Sequence, residues 1–256
     1  PHEDFPVLTF NPKTITCTLD AKTLIGGLGT VVYCASQSTV KPELASVYVS
    51  GKKNILTLTA TDSYRLAEKN ITHKSIPEFD AVLVPAKNAV ELMRIFDVVG
   101  GETQISVEES QVLFLGENIS ISSRIIEGTF PDYKQIIPQK STSTATLLKQ
   151  DLLTSLKRAT PFLDGLQQVT LTINPSEKVF SIQAKNNEVG EYTDALDAAL
   201  TGEEITMHYN YRYFIDALPT LASDSITLSF VGYGKPVVVK GVGDESFLYL
   251  VMPMNR

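Results

Sequence analysis

Bond-making chemistry usually rests on histidine, cysteine, or a nucleophile set beside a base. The spacing of those residues here offers no such set. The three histidines, His2, His73 and His208, stand far apart and lack metal-ligand spacing. Cys17 and Cys34 form no CxxC pair and read as reduced core residues rather than a disulfide. No GxSxG, Walker loop, HExxH or dinucleotide fingerprint occurs, and no pair of carboxylates is marked out for acid–base work. These residues argue against an enzyme, and they call for no metal and no cofactor. One stretch suits recognition instead. In Ala60-Thr-Asp-Ser-Tyr-Arg-Leu-Ala67 the short polar side chains of Thr61, Asp62 and Ser63 can bond their own backbone and turn the chain. Tyr64, Arg65 and Leu66 then bunch an aromatic, a fixed cation and an aliphatic beside that corner. The pattern fits either a plain structural hairpin or a binding corner.

The elements that must position this corner read as an α+β chain. Its 256 residues suggest two domains, and a hydrophobic fraction of 43% supports packed cores. No apolar run approaches the roughly 18 residues that span a membrane, and no signal peptide opens the chain. The net charge of −7 excludes a protein basic all over but not a localised basic face. Residues 14–19 read as a strand. Asp20 is placed to cap a helix carrying Leu24, Ile25, Leu28, Val31 and Val32. Gly26, Gly27 and Gly29 weaken that helix by roughly 1 kcal/mol each and suit a close approach to its face. Residues 46–50 and 55–60 form a hairpin about Gly51-Lys-Lys-Asn54, and the return strand after the polar corner runs to Ile71. A strand at 81–84 leads through Pro85 to a helix at 86–96, with Val90, Met93 and Ile95 or Phe96 inward. A meander at 103–107, 112–115 and 119–125 precedes the turn-rich Glu127-Gly-Thr-Phe-Pro-Asp-Tyr133. The polar stretch Ser141-Thr-Ser-Thr-Ala-Thr146 reads as flexible and as a domain boundary. The second half repeats the first. Asp151, Leu152, Leu153 and Leu156 echo the first helix, Arg212 to Leu218 the second, and strands fall at 169–173, 179–183, 189–193, 225–230, 236–240 and 247–251. Each half reads strand, helix, strands, helix, strands, a duplication too long for a solenoid.

Four ordered motifs carry a resemblance: Ala60-Thr-Asp-Ser-Tyr-Arg-Leu-Ala67, Val84-Pro-Ala-Lys87, Ser123-Arg-Ile-Ile-Glu-Gly-Thr-Phe-Pro-Asp-Tyr133 and Val251-Met-Pro-Met254. On these the chain resembles the bacterial sliding clamp family, the β subunits of DNA polymerase III. The resemblance implies tandem clamp domains, each with antiparallel sheets outside and two helices on the inner face. Residues 1–138 correspond to the middle domain, with 1–10 as the connector, and 139–256 to the C-terminal domain. The family's first domain is missing, so the chain reads as a fragment, monomeric and with weak affinity for DNA, where the full-length form is a head-to-tail homodimer ring. The implied role is a non-catalytic processivity factor that encircles duplex DNA in the bacterial cytoplasm, at the nucleoid.

Two sets of site residues follow from the resemblance. Inner-face cations would meet phosphates without reading sequence: Lys87, matching the family's lysine, with Lys22, Lys41, Arg94, Lys157, Arg158 and Arg212. An outer pocket would take a short peptide, a glutamine followed by aliphatic and aromatic anchors, from the polymerase α subunit, the clamp loader, other polymerases and repair proteins. Its matching positions are Leu44, Thr61, Ser63, Tyr64, Arg65, Leu66, Pro131, Ile136, Asn210, Tyr213, Leu250, Met252, Pro253 and Met254. Methionine suits a surface with many partners, because its thioether repacks easily. The chain departs from the family at Ser63-Tyr64, where Gly-His is commoner, and at Gln135 and Asn255, where some members carry arginine. Two other classes remain to be weighed: a metal-dependent nuclease or transferase, which would need a spaced acidic set, and a non-replicative scaffold sharing the fold.

Overall fold

In the computed structural model, residues 15–254 are described; the opening connector, His2 and Asn255 lie outside them. Contacts divide the chain into two units, Pro1–Ala60 with Asn70–Phe130, and Thr61–Lys69 with Pro131–Arg256.

The first unit opens with β1 (Cys17–Asp20) and α1 (Ala21–Gly29). Asp20 caps the helix as its sequence suggests, accepting the amides of Lys22 at 2.9 Å and Thr23 at 3.3 Å. These satisfy two of the donors that every helix start leaves open. The helix is shorter than its apolar stripe. It ends at Gly29, and Val32 lies in a separate 3-10 turn, Val32–Cys34, so the stripe continues through a second element. Strands β2 (Ser46–Lys52) and β3 (Ile55–Thr61) pair antiparallel. Their turn is Lys53-Asn54, both at positive φ (51° and 63°), the backbone that lets a two-residue hairpin follow the strand twist. Gly51, expected in that turn, sits in β2 instead, where an added Cβ would fall 2.2 Å from the Phe79 ring. After the polar corner comes β4 (Arg65–Thr72), then β5 (Phe79–Pro85), which pairs with β2.

Helix α2 (Ala86–Val99) runs three residues beyond its expected end and packs on α1. Its buried face is Ala89, Leu92 and Phe96, while Val90, Met93 and Ile95 are only half-buried. Phe96 is thus inward, one of the two expected alternatives, while Ala89 and Leu92 take the places expected of Val90 and Met93. Strands β6 (Glu102–Val107), β7 (Gln111–Gly116) and β8 (Ile119–Arg124) form the meander, and with β1 they make a four-stranded sheet in the order β1-β6-β7-β8.

The second unit repeats this plan. β9 (Ser143–Leu148) replaces the expected flexible linker: its alternate side chains Ser143, Ala145 and Leu147 are buried, which fixes a polar-looking run as a strand. It leads into α3 (Lys149–Ala159), then β10 (Gln168–Asn174), β11 (Val179–Asn186) and β12 (Gly190–Leu196). Two strands not read from the sequence follow, β13 (Ala198–Gly202) and β14 (Ile205–Asn210). Helix α4 (Tyr211–Ala217), capped by Asn210, packs with α3, and β15 (Ser225–Phe230), β16 (Val237–Gly241) and β17 (Phe247–Val251) complete the unit. One sheet runs β12-β11-β10-β14. In the other, β13, β9, β15, β16 and β17 pair in turn, and β17 pairs with residues 65–69 of β4. Tyr209, Phe214 and Phe230 form its aromatic core, with Tyr209 edge-on to Phe214 at 5.5 Å. Burial pushes the Tyr209 phenol above its ordinary range.

Candidate functional site

The polar corner is built by its own side chains. Asp62 Oδ1 accepts the backbone amides of Tyr64 and Arg65, both at 2.9 Å. Thr61 Oγ1 donates to the Arg65 carbonyl at 2.7 Å and accepts the Ser63 amide at 3.1 Å. Ser63 holds φ at +79°, a region glycine enters freely and serine seldom does. The departure from glycine thus leaves a left-handed turn in place and puts the strain on a serine anchored by Thr61.

Beyond the corner, the register of β4 against β17 sets Arg65 opposite Val251 and Leu66 opposite Leu250. The ladder continues past β17: the Met252 amide donates to the Tyr64 carbonyl at 2.8 Å, and the Met254 amide to the His208 carbonyl at 2.8 Å. The Met-Pro-Met segment is therefore pinned at both ends by main-chain bonds while its side chains stay half-buried. Leu66 and Leu250 are 0% and 1% exposed and form the packed layer beneath. Tyr64 stands out at 63% exposed and Ile136 at 49%.

Arg65 is the electrostatic hub. Its Nε donates to Asp62 Oδ2 at 2.9 Å and its Nη1 to Asp216 Oδ2 at 2.7 Å, and its guanidinium lies 4.9 Å from the centre of the Tyr213 ring. The cation is thus neutralised by two carboxylates and joins the corner to α4. Burial first, then the charge of Asp62, raises the Tyr213 phenol above its ordinary value, and Arg65 opposes them. The Tyr213 carbonyl accepts the Tyr249 hydroxyl at 2.7 Å, and Asn210 spends its side chain capping α4 at Arg212.

Pro131 and Ile136 are exposed on the segment around a 3-10 turn, Tyr133–Ile136. Tyr133, 5% exposed, donates to Glu68 of β4 at 2.5 Å and fastens that segment to the wall. Gln135 bonds Asp132 at 2.7 Å. Beside the tail, an open pocket of about 490 Å³ is bounded by Thr170, Gln183, His208 and Tyr233 together with Pro253 and Met254.

Of the expected pocket residues, all but Leu44 lie in the second unit. Leu44 belongs to the first and is buried there at 6%. Asp216, Glu68 and the residues around His208 were not singled out from the sequence. Asp216 follows Tyr213 by three positions on α4, a same-face spacing that offered a faint signal. The expected cations are all exposed: Lys22 on α1, Lys41 in the loop before β2, Lys87 and Arg94 on α2, Lys157 and Arg158 in the last turn of α3, and Arg212 on α4. Arg94 is paired with Glu91 at 2.7 Å and Arg212 bonds Gln167 at 2.6 Å. Among the described residues no group of three or more His, Cys, Asp or Glu side chains is placed to hold a metal ion. No helix there is long and apolar enough to cross a membrane.

Two successive units, each with a pair of packed helices and antiparallel sheets, define the class of tandem clamp-domain proteins. A model of the DNA polymerase III beta subunit central domain matches residues 18–132, and one of its C-terminal domain matches 134–255. The beta sliding clamp of Streptococcus pneumoniae is 30% identical over 257 residues, covering 99% of this chain and 68% of that protein. The beta sliding clamp of Bacillus subtilis is 31% identical over 229 residues, covering 88% of this chain and 60% of its own length. The crystal structure of the Bacillus subtilis DNA polymerase sliding clamp superposes with a TM-score of 0.92 at 28% identity, over 100% of this chain and 68% of that one. The chain belongs to the beta sliding clamp family, the β subunits of DNA polymerase III. Its function is that of a sliding clamp in DNA replication, and its relatives are non-catalytic accessory proteins.

Proposed function

We propose that the second unit carries a peptide-docking groove for DNA polymerase III, the clamp loader, other polymerases and repair proteins. Its walls are the corner at Thr61, Ser63, Tyr64 and Arg65, the segment Pro131 to Ile136, the rim residues Asn210 and Tyr213, and the tail Met252-Pro-Met254; Leu66 and Leu250 are its floor. The observation that carries the reading is the bond from the Met252 amide to the Tyr64 carbonyl, which sets an exposed aromatic beside a flexible thioether. Such a surface suits an aliphatic–aromatic anchor pair, while main-chain and amide groups orient a glutamine. Burying each anchor contributes about 1.5–3 kcal/mol, which after ordering costs supports micromolar, reversible exchange of partners.

The exposed cations, Lys87 foremost with Lys22, Lys41, Arg94, Lys157, Arg158 and Arg212, face duplex DNA and contact phosphates without reading bases. What supports this is their exposure, with Lys22, Lys87, Arg94, Lys157, Arg158 and Arg212 on α1 to α4 and Lys41 in the loop before β2. Residues 1–138 and 139–256 serve as the middle and C-terminal clamp domains of a ring working at the bacterial nucleoid.

Isothermal titration with a peptide carrying glutamine, aliphatic and aromatic anchors tests the groove. Met252→Ala and Tyr64→Ala each weaken binding severalfold, and unchanged titrations for both variants sink the assignment. Leu66 is unsuited to this test. It is fully buried, so Leu66→Ala would report a fold loss of about 2–5 kcal/mol.

A further inference from the structure

The first unit holds a pocket that lies apart from the residues of the peptide groove. It opens between the loop after the 3-10 turn Val32–Cys34 and the start of α2, and encloses about 530 Å³. That volume falls within the roughly 300–1,000 Å³ usual for small-molecule sites. Val32, Pro42, Val90 and Ile126 give it an apolar wall, and the exposed Gln37 and Thr39 give it a polar lip. Lys87 also lines it. The first turn of α2 carries no acidic residue, and among the described residues Lys87 has no carboxylate within ion-pair distance. An apolar hollow with one uncompensated cation at its mouth is complementary to a ligand with an apolar body and a single anionic head.

We propose that this pocket is a binding site for small amphipathic organic anions, the apolar body seated against Val32, Val90 and Ile126 and the head at the Lys87 ammonium. The ammonium sits on a flexible stem and can follow a carboxylate, sulfonate or phosphate as a point charge. The site stands whether or not Lys87 also meets DNA phosphates.

The probe is 1-anilinonaphthalene-8-sulfonate, whose fluorescence rises on entering apolar surroundings, with N-phenyl-1-naphthylamine as its uncharged counterpart. The sulfonate saturates one site, and Lys87→Met, which keeps the apolar stem, weakens it roughly tenfold, the scale of one lost charge-assisted contact. Gln37→Glu, an exposed substitution that puts an anion at the lip, weakens it as well, whereas Lys87→Arg retains binding. The uncharged counterpart binds Lys87→Met and the parent protein alike. Met252→Ala leaves sulfonate binding unchanged. The proposal is overturned if the sulfonate binds both charge variants as tightly as the parent, if Met252→Ala abolishes the signal, or if no saturable signal is seen.

Discussion

Arg65 and Asp216 share one ion pair, yet their removal should have very different consequences. The Arg65 side chain is 13% exposed and Asp62 18%, whereas Asp216 is 41% exposed. Arg65→Met leaves Asp62 largely covered, with its cation gone and its Oδ1 still committed to two backbone amides. Breaking a buried pair costs about 3–5 kcal/mol, and partial solvent screening here reduces that to about 2 kcal/mol. Asp216→Asn removes a charge that water already solvates, so the loss should stay within about 0.2–1 kcal/mol. At about 2–4 °C per kcal/mol for a domain-sized transition, Arg65→Met lowers the melting temperature by roughly 4–8 °C and Asp216→Asn by less than roughly 4 °C. Scanning calorimetry of the parent and both variants, repeated at 1 M salt, checks this. Salt should erase most of the Asp216→Asn difference and little of the Arg65→Met difference. Equal losses from the two variants, or none from Arg65→Met, would refute the view that Arg65 is the covered hub of the corner.

Two further outcomes follow from packing and burial. In α1, Gly26→Ala meets nothing within 4 Å and should stabilise by about 1 kcal/mol through helix propensity, while Gly27→Ala would set a Cβ 2.5 Å from Ile71 Cδ1 and 2.9 Å from Leu58 Cδ1 and should destabilise by about 1–2 kcal/mol; urea unfolding showing the same sign for both would contradict the close approach. Burial pushes the Cys17 thiol up to about 11 from 9.0, so the folded state holds its proton longer than the unfolded chain does. Stability should therefore fall as pH rises from about 9 towards about 11, and Cys17→Ala should flatten part of that fall in urea titrations across the window.

Local signals were read well from the sequence, and non-local ones were not. Asp20 announces its helix because the cap and the amides it serves lie within three residues. The strands β10 and β15 alternate apolar and polar side chains and are buried on the corresponding faces. Where burial comes from a distant partner, composition misleads. Residues 141–146 look like a linker, but 143–146 belong to a strand held between β13 and β15, and β13 itself, rich in alanine, was overlooked. The same limit put Ala89 and Leu92 on the buried face of α2 where Val90 and Met93 were expected, because its packing is set by α1 and not by its own period.

At the site, motif reading placed the corner and the tail, and it could not say what ties them together. Arg65 and Asp216 are 151 positions apart, and Tyr133 and Glu68 are 65 apart. Neither pair leaves a trace in local spacing, since each residue alone is an ordinary surface charge or turn aromatic. These pairs change what the corner can offer a partner. An arginine beside an aromatic reads as a cation open to acidic ligands, but two carboxylates neutralise Arg65 and turn it into a brace for Tyr213 and α4. With Gln135 bonded to Asp132, the described corner is left with apolar and main-chain recognition as its main resource. Peptide affinity at the proposed groove should accordingly vary little between low salt and 0.5 M salt, because few exposed charges there remain to be screened. A steep salt dependence in the peptide titration would mean that Arg65 exchanges its carboxylates for the partner's.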